Sequence, residues 1–264
     1  MLIAQLSDLH VRPEGFLYKD VANSNDFLSN AIDHLHSLDR RPDLVVLTGD
    51  IVDCGSLVEY ENAWRILRTL TIPYLVLPGN HDNRENLRKT FFTHTYLPTT
   101  GPMHFCVDDY PVRVVGLDTT IPSKHNGEIG NSGIEWLRAT LSEDREKPTL
   151  VLMHHPPFVS GIPYLDEYRC MDSVSIGNVL KDFSNIEAVL CGHVHRLMVR
   201  RWAGTVVIAS PSTATEIALQ LNPGANPQSF LGPRACMLHL WSPEEGLVSH
   251  LSHINKFDGP YPFF

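Results

Sequence analysis

The chain has 264 residues, 43% of them hydrophobic, which is enough to bury a sizeable core. Its formal net charge of −9 disfavours binding to long nucleic acid, because the phosphate backbone requires a basic surface. The five cysteines are scattered, and no apolar run approaches the roughly 20 residues of a membrane span, which argues against a disulfide framework and a membrane helix. We therefore expect one cytoplasmic domain over residues 1–264, without a signal peptide.

Strands and helices alternate in the first 80 residues. Apolar runs at 2–6, 44–47 and 72–77 have the length and β-branching of buried strands. Apolar residues three and four apart predict helices at about 20–38 and 57–70. Strands joined through helices predict right-handed crossovers and a largely parallel sheet, on which functional groups gather beyond the carboxyl ends of the strands.

The remaining chain continues this pattern and ends in a hairpin. Further strands are predicted at 112–118, 149–153, 188–191 and 206–209, and helices at 84–92, 134–141 and 174–183. Segments 126–133 and 158–169 are rich in glycine, proline or tyrosine, and we expect loops near the site mouth there. Residues 235–241 and 247–254 are predicted to pair, and 257–264 either packs on a neighbouring subunit or frays.

Polar side chains follow five of these strands. The stretch Gly79-Asn80-His81-Asp82 presents an amide, an imidazole and a carboxylate directly after an apolar run. Similar clusters follow the other strands: Asp8 with His10, Asp50, His154 with His155, and His193 with His195. Each cluster alone is also compatible with a capped turn or with core histidines. Because they lie one or two strand–helix units apart, one sheet edge can bring all five together.

These clusters form a donor set suited to metal ions. Imidazoles, carboxylates and one neutral amide oxygen, without a thiolate, favour Mn, Fe, Co or Zn over a structural zinc site. Seven such groups are too many for one tetrahedral ion. They suit two divalent ions that share a bridging carboxylate.

The ordered pattern D-x-H, G-D, G-N-H-D, H-H and G-H-x-H resembles the calcineurin-like metallophosphoesterase family over about residues 1–210. Ser7-Asp8-Leu9-His10 and the Gly79–Asp82 turn are similar to its bacterial class III cyclic-nucleotide phosphodiesterase and glycerophosphodiesterase branch. The resemblance implies an α/β fold, a four-layer α/β/β/α sandwich with mixed, largely parallel sheets and a dinuclear metal site. The ligands it implies are Asp8, His10 and His195 for one ion, Asn80, His154 and His193 for the second, and Asp50 as the bridge.

The resemblance further implies a phosphodiesterase for small substrates, either cyclic nucleotides or glycerophosphodiesters. Two divalent ions, the carboxylates of Asp8 and Asp50 and one hydroxide leave a charge of about +1, which a phosphodiester monoanion neutralises. The ions would lower the pKa of bound water and hold phosphorus for in-line attack. His81 is the candidate that protonates or hydrogen-bonds the departing alkoxide, and Asp53 is predicted to orient His81.

One departure from related enzymes bears on the substrate. Phosphoprotein phosphatases read G-D-x-V-D-R-G, with an arginine that grips phosphate, whereas this chain has Cys54 at that position. A monoester dianion would leave the site about one charge too negative, so the missing arginine favours diesters unless Arg12 or Arg84 approaches from elsewhere. We expect Cys54 to be a small buried residue and His155 to support the ligands from behind.

Three rival functions stay open at this point. They are a phosphomonoesterase on the same scaffold, a non-catalytic metal-binding protein scaffold and a nuclease for long nucleic acid. Filled ligand positions disfavour the second and the acidic charge disfavours the third. We expect a homo-oligomer with contacts through residues 211–264, and no membrane partner. Thr213 and Thr215 follow the last strand-end turn, where an ordinary turn is expected over a substrate contact.

Overall fold

A computed structural model describes all 264 residues of the chain. The strands are β1 (Leu2–Leu6), β2 (Leu44–Thr48), β3 (Tyr74–Leu77), β4 (Phe105–Val107), β5 (Arg113–Leu117), β6 (Thr149–Met153), β7 (Ile186–Cys191), β8 (Met198–Trp202), β9 (Thr205–Ala209), β10 (Glu216–Ile217), β11 (Ser229–Phe230), β12 (Ala235–Ser242) and β13 (Gly246–His253). The helices are α1 (Ser24–Ser37), α2 (Leu57–Leu67), α3 (Arg84–Thr90), α4 (Gly130–Glu143), α5 (Pro163–Asp166) and α6 (Ser173–Leu180). None of the helices is both long enough and apolar enough to span a bilayer.

Two mixed sheets form the centre of the fold. The first has the order β13-β12-β1-β2-β3, in which β1, β2 and β3 are parallel. The second has the order β4-β5-β6-β7-β9-β8, in which β5, β6, β7 and β9 are parallel and both edge strands are antiparallel. The predicted hairpin is β12 with β13, and β12 pairs with β1, so the end of the chain extends the sheet in which its beginning lies.

Alternating side chains of the second sheet separate two cores. Val114, Leu150 and Leu190 belong to a 41-residue cluster shared with the first sheet, α1 and α2. Their neighbours Val115 and Val151 belong to a 21-residue cluster shared with α4 and α6. Because successive strand residues face opposite sides, the sheets pack face to face with helices on both outer surfaces. The predicted four-layer α/β/β/α fold class is therefore confirmed.

Two segments predicted as loops contain helix. Residues 130–133 form the first turn of α4, because the Asp172 carboxylate accepts the backbone N–H groups of Ile129 and Gly130 at 2.9 and 3.0 Å. This cap comes from a residue more than 40 positions away, so no local pattern announces it. Segment 158–169 contains the single turn α5, with proline at its start.

A buried amide joins the two sheets beneath the strand ends. The Nε2 group of Gln5 on β1 donates to Thr48 Oγ1 on β2 and to the carbonyl oxygen of Cys191 on β7, both at 2.9 Å. Its Oε1 accepts from His239 Nε2 at 3.1 Å, and His239 Nδ1 accepts from the Ser249 hydroxyl at 2.8 Å. Burial lowers the pKa of His239 to about 3, so this imidazole is neutral. Every polar atom of the Gln5 amide is satisfied in a fully buried position.

The Gln5 contacts lead to a stability prediction. Replacing Gln5 with methionine leaves Thr48 Oγ1 on β2 and His239 Nε2 on β12 unpaired in the core and removes one of the two hydrogen bonds of the Cys191 carbonyl, and we expect the free energy of unfolding to fall by about 2–4 kcal/mol. Urea denaturation followed by circular dichroism measures the change. The control Gln228→Met alters an exposed glutamine and should leave the midpoint nearly unchanged. Equal midpoints for the two variants would contradict a structural role for Gln5.

Candidate metal centre and active site

The seven predicted ligands converge at the carboxyl ends of five strands. They follow β1 (Asp8 and His10), β2 (Asp50), β3 (Asn80), β6 (His154) and β7 (His193 and His195). Three of these strands belong to the first sheet and two to the second, so the site lies where the edges of both sheets meet. All the groups except Asn80 are buried.

One set of groups surrounds a point between the loops after β1 and β7. His10 Nε2 lies 3.1 Å from His195 Nε2, and His195 Nε2 lies 3.4 Å from Asp8 Oδ1. The Nδ1–H of His195 donates to the Thr215 carbonyl at 2.9 Å, which leaves the Nε2 lone pair facing the Asp8 oxygen. Burial lowers the pKa values of His10 and His195 to about 4, so both rings are neutral. Acceptors that face each other this closely are stabilised by a cation between them.

A second set lies beside the first and shares Asp50 with it. Asn80 Oδ1 is 3.1 Å from His154 Nε2 and 2.9 Å from His193 Nδ1. Asp50 Oδ2 lies 3.4 Å from His154 Nε2 and 3.7 Å from His10 Nε2. The carboxylate of Asp50 therefore lies between the two sets, in the position that a bridging ligand requires. These nitrogen and oxygen donors are of the kinds that bind divalent metal ions.

An unusual backbone conformation helps to orient several of these side chains. Non-glycine residues with positive φ include five of the predicted ligands: Asp8 (53°), His10 (45°), Asp50 (50°), His193 (70°) and His195 (52°). Left-handed backbone is uncommon for such residues and is retained where the surroundings enforce it. Two amides contribute here: His193 N–H donates to Asp8 Oδ1 at 3.0 Å, and His81 N–H donates to Asp50 Oδ1 at 2.9 Å.

The pKa values of the two carboxyl groups are shifted in opposite directions. Burial raises the pKa of Asp8 to about 6. Burial also opposes the ionisation of Asp50, but the charges of His154 and His81 outweigh it and hold the Asp50 pKa well below its usual range. Neither carboxylate forms an ion pair with lysine or arginine, and a metal ion here would add to the compensation that the imidazoles give their buried charge.

His81 lies at the rim of the centre and contacts Asp53. Its Nδ1–H donates to the Asp53 backbone carbonyl at 2.6 Å, and the Asp53 Oδ1 atom is 3.4 Å away. The same Oδ1 lies 3.5 Å from His10 Nδ1, so Asp53 contacts both His81 and a predicted ligand. Burial opposes protonation of His81, but the charge of Asp50 and the hydrogen bonds of Asp53 raise its pKa to about 10. The ring is therefore able to donate a proton at neutral pH.

Arg12 and Arg84 both form ion pairs with carboxylates. Arg12 Nη1 lies 2.9 Å from Asp53 Oδ2 and 2.8 Å from Glu59 Oε1. Arg84 Nε lies 2.5 Å from Asp118 Oδ2. Neither guanidinium lines the cavity over the ligands. Both arginines are therefore engaged by acidic partners outside the cavity.

The expectation that Cys54 is buried is wrong. Its side chain is exposed, and its Sγ atom lies 2.8 Å from Arg12 Nη1. Cys54 lies in the turn before α2, outside both core clusters, which explains its exposure. His155 is placed as expected behind the ligands, since its Nδ1 contacts Thr119 Oγ1 at 2.7 Å and its Nε2–H donates to the His125 carbonyl at 3.0 Å.

A cavity of about 380 Å³ opens over the two sets of ligands. Its lining includes side chains that the sequence patterns did not single out, namely Tyr18, Lys19, His125, Ile217, Pro227, Gln228 and Ser229. Tyr18 stacks on the ring of His10, with centroids 4.3 Å apart, and His125 Nδ1 lies 3.2 Å from Asn80 Nδ2. These residues come from loops and from the short strands β10 and β11, which carry no motif, so spacing along the chain carried no signal for them.

The predicted loop 158–169 does face this cavity. Tyr164, Leu165 and Tyr168 all line it. Thr215 also lines it, whereas Thr213 does not and instead donates its backbone N–H to the Ser7 carbonyl at 3.2 Å. The cavity thus combines aromatic rings with polar side chains around the metal ligands, as small-molecule sites commonly do.

Comparison with known proteins decides the family. The profile described as calcineurin-like phosphoesterase matches residues 1–197, a span that contains all seven ligand positions. The chain belongs to the calcineurin-like phosphoesterase family. A relative from Arcobacter nitrofigilis, named a probable glycerophosphodiester phosphodiesterase, is 34% identical over 100% of this chain and 97% of its own length.

Further relatives agree with the predicted branch of the calcineurin-like phosphoesterases. A glycerophosphodiester phosphodiesterase from Enterobacter lignolyticus is 28% identical over 99% of this chain and 94% of its own length. The 3′,5′-cyclic adenosine monophosphate phosphodiesterase of Escherichia coli is 27% identical over 81% of this chain and 76% of its own. The branch inferred from the sequence motifs is therefore confirmed.

Solved structures confirm the fold. A dimetal phosphatase from Danio rerio aligns with a TM-score of 0.64 at 14% identity, covering 97% of this chain and 99% of its own. At this identity the likeness concerns the four-layer fold alone. Calcineurin-like phosphoesterases use divalent metals, and the clustered ligand groups described above are consistent with that chemistry.

The approach of Gly49 to His154 gives a testable prediction. Gly49 has φ +98°, and a Cβ atom there would lie 2.3 Å from His154 Nδ1. We expect Gly49→Ala to displace this imidazole and to weaken Mn²⁺ binding by about tenfold or more, measured by isothermal titration calorimetry. The control Gly204→Ala has a similar φ of +88° with open space around the new Cβ, and it should bind Mn²⁺ normally. Equal affinities in the two variants would contradict the steric argument.

Proposed function

We propose that the chain is a binuclear metal-dependent phosphodiesterase that hydrolyses small phosphodiesters, either glycerophosphodiesters or cyclic nucleotides. The observation that carries the proposal is the pair of ligand sets that share the Asp50 carboxylate beneath one cavity. The names of the relatives from Arcobacter, Enterobacter and Escherichia support the same substrate classes.

The proposed ligands are those expected from the motifs. Asp8, His10 and His195 would hold one ion, Asn80, His154 and His193 the second, and Asp50 both. Bound in these positions, divalent ions of Mn, Fe, Co or Zn would lower the pKa of water and offset phosphoryl charge. The hydrogen bonds of His154 Nδ1 to the Thr48 carbonyl and of His195 Nδ1 to the Thr215 carbonyl orient both rings with Nε2 toward the centre.

The charge of the cavity favours diesters over monoesters. Arg12 is paired with Asp53 and Glu59, and Arg84 is paired with Asp118, so neither arginine is available to balance a phosphomonoester dianion. Two further cations line the cavity. Lys19 is exposed to solvent, where its charge is screened, and the charge of His81 is offset by Asp53. A diester monoanion requires about one positive charge less than a monoester dianion, which matches this lining.

A matched pair of substrates tests the proposal. On Mn²⁺-reconstituted protein, we expect kcat/KM for bis(p-nitrophenyl) phosphate to exceed that for p-nitrophenyl phosphate by about tenfold or more, which is about 1.4 kcal/mol of barrier. Both compounds release p-nitrophenolate, so the leaving group is the same in the two reactions. Glycerophosphoethanolamine and 3′,5′-cyclic AMP then separate the two diester classes. Faster turnover of the monoester would indicate the phosphomonoesterase, and no turnover by metal-loaded protein would indicate the scaffold.

If His81 protonates the leaving group, the effect of replacing His81 should depend on how basic that leaving group is. We expect His81→Gln to slow hydrolysis of glycerophosphoethanolamine by about 100-fold or more, because an alkoxide leaving group needs the proton. Hydrolysis of bis(p-nitrophenyl) phosphate should fall much less, because p-nitrophenolate leaves unprotonated. Asp53→Asn should also slow hydrolysis of glycerophosphoethanolamine more than hydrolysis of bis(p-nitrophenyl) phosphate. We expect this loss to be smaller than in His81→Gln, because Asp53 contacts His81 and His10 but does not itself give the proton.

His250→Gln serves as the histidine control, because this side chain is exposed on β13. It should leave both rates unchanged. Equal losses on both substrates in His81→Gln would contradict proton donation by His81.

We also propose that residues 1–264 act as one domain, in the cytoplasm, as a homo-oligomer. The pairing of β12 with β1 supports a single domain, since the region after residue 210 completes the first sheet. Five free cysteines are consistent with a reducing compartment. Exposed apolar side chains on the final hairpin and tail, including Val248, Leu251 and Phe257, support an oligomer contact within 211–264.

A further inference from the structure

The guanidinium of Arg234 has no hydrogen-bond or ion-pair partner in the protein. Its Nε and Nη1 atoms are buried without a hydrogen bond, and the side chain forms no ion pair. The guanidinium carbon lies 3.8 Å from the centre of the Phe27 ring, which fixes one face of the group. Buried donors are normally satisfied, and a guanidinium is the side chain best suited to bind oxyanions. The missing partner is therefore an acceptor that the chain itself does not provide.

Arg234 borders a cavity of about 480 Å³ between α1 and the segment after β13. The lining is polar and includes Lys256, Asn30, Asn255, His34 and one acid, Asp33. Burial lowers the pKa of His34, so its ring is neutral and its Nε2 contacts Ser252 Oγ at 2.8 Å. Two cations therefore face one exposed carboxylate, in a chain whose formal net charge is −9.

The backbone holds this cluster in place. Arg234 N–H donates to Asn255 Oδ1 at 2.6 Å, and the Arg234 carbonyl accepts from Ile254 N–H at 2.9 Å. These bonds join the residue before β12 to the residues after β13, so that Arg234 and Lys256 are held at the same end of the hairpin. With its backbone held by these bonds and its guanidinium against the Phe27 ring, Arg234 loses less conformational entropy when it binds a ligand.

We propose that this cavity is a second binding site, for a small oxyanion such as phosphate or a carboxylate. It shares no lining residue with the cavity over the metal ligands. Its position is nevertheless close behind them, because Phe27 packs against the cluster of Tyr18, Ala22 and Ala214, and Tyr18 stacks on His10. The inference does not depend on which phosphodiester the metal centre hydrolyses.

Inorganic phosphate is the probe, and its binding is counted by equilibrium dialysis on metal-loaded protein. We expect two equivalents per chain in the unaltered protein, one at the metal centre and one at Arg234. Arg234→Gln should weaken the binding of the second phosphate by about tenfold or more, because charged hydrogen bonds to the guanidinium are lost. A second experiment adds acetate as a competitor and distinguishes a phosphate site from a carboxylate site. If acetate displaces only the phosphate bound at Arg234, the cavity is a carboxylate site. Arg201→Gln, an exposed arginine on β8, is the control and should retain both equivalents.

Two further variants keep the proposal falsifiable if Arg234→Gln folds poorly. Lys256→Gln should weaken the second equivalent, and Arg234→Lys should retain part of it because the charge is kept. Diester hydrolysis without added phosphate should stay at the unaltered level in all of them, which shows that the metal centre is intact. A single equivalent in the unaltered protein that Arg234→Gln and Lys256→Gln leave unchanged would overturn the proposal, whereas a single equivalent that both variants weaken would indicate binding at Arg234 without binding at the metal centre. A second equivalent that survives both Arg234→Gln and Lys256→Gln would also overturn the proposal.

Discussion

The architecture depends on keeping two carboxylates, Asp8 and Asp50, buried among imidazoles without a lysine or arginine beside them. Such groups are costly to bury unless hydrogen bonds and counter-charges compensate them. The fold supplies backbone amides for this purpose, from His193 to Asp8 and from His81 to Asp50. Each of these bonds joins loops from different strands, so the same interactions that support the charges also assemble the site.

The sandwich explains how five loops can meet at one place. The carboxyl ends of β1, β2 and β3 face those of β6 and β7 across the interface between the sheets, where Gln5 joins β1, β2 and β7. Rigid strand ends restrict the loops that follow them, and five of the proposed ligands adopt left-handed backbone there. The geometry of the ligands is therefore a property of the whole sandwich rather than of any one motif.

Asp53 connects the metal centre with the charge of the surrounding surface. Its carboxylate lies near His10 and His81 on one side and pairs with Arg12 on the other. Glu59 also pairs with Arg12, so two carboxylates offset the charge of this arginine outside the cavity. The same network thus accounts for the environment of His81 and for a cavity better matched to a monoanion than to a dianion.

Much of this protein was predictable from its sequence. Apolar runs buried on both faces identified the parallel strands, and the polar residues directly after them identified all seven groups that converge. Both features are local, because the sequence around a strand end determines where the strand stops and which residues begin the loop. The hairpin of β12 and β13 followed from alternation and a glycine turn in the same way. The tertiary structure alone decided the start of α4, capped by the distant Asp172, the exposure of Cys54 and the aromatic lining around Tyr18 and Tyr164. These features depend on contacts between segments far apart in the chain, and local patterns carry no information about such contacts.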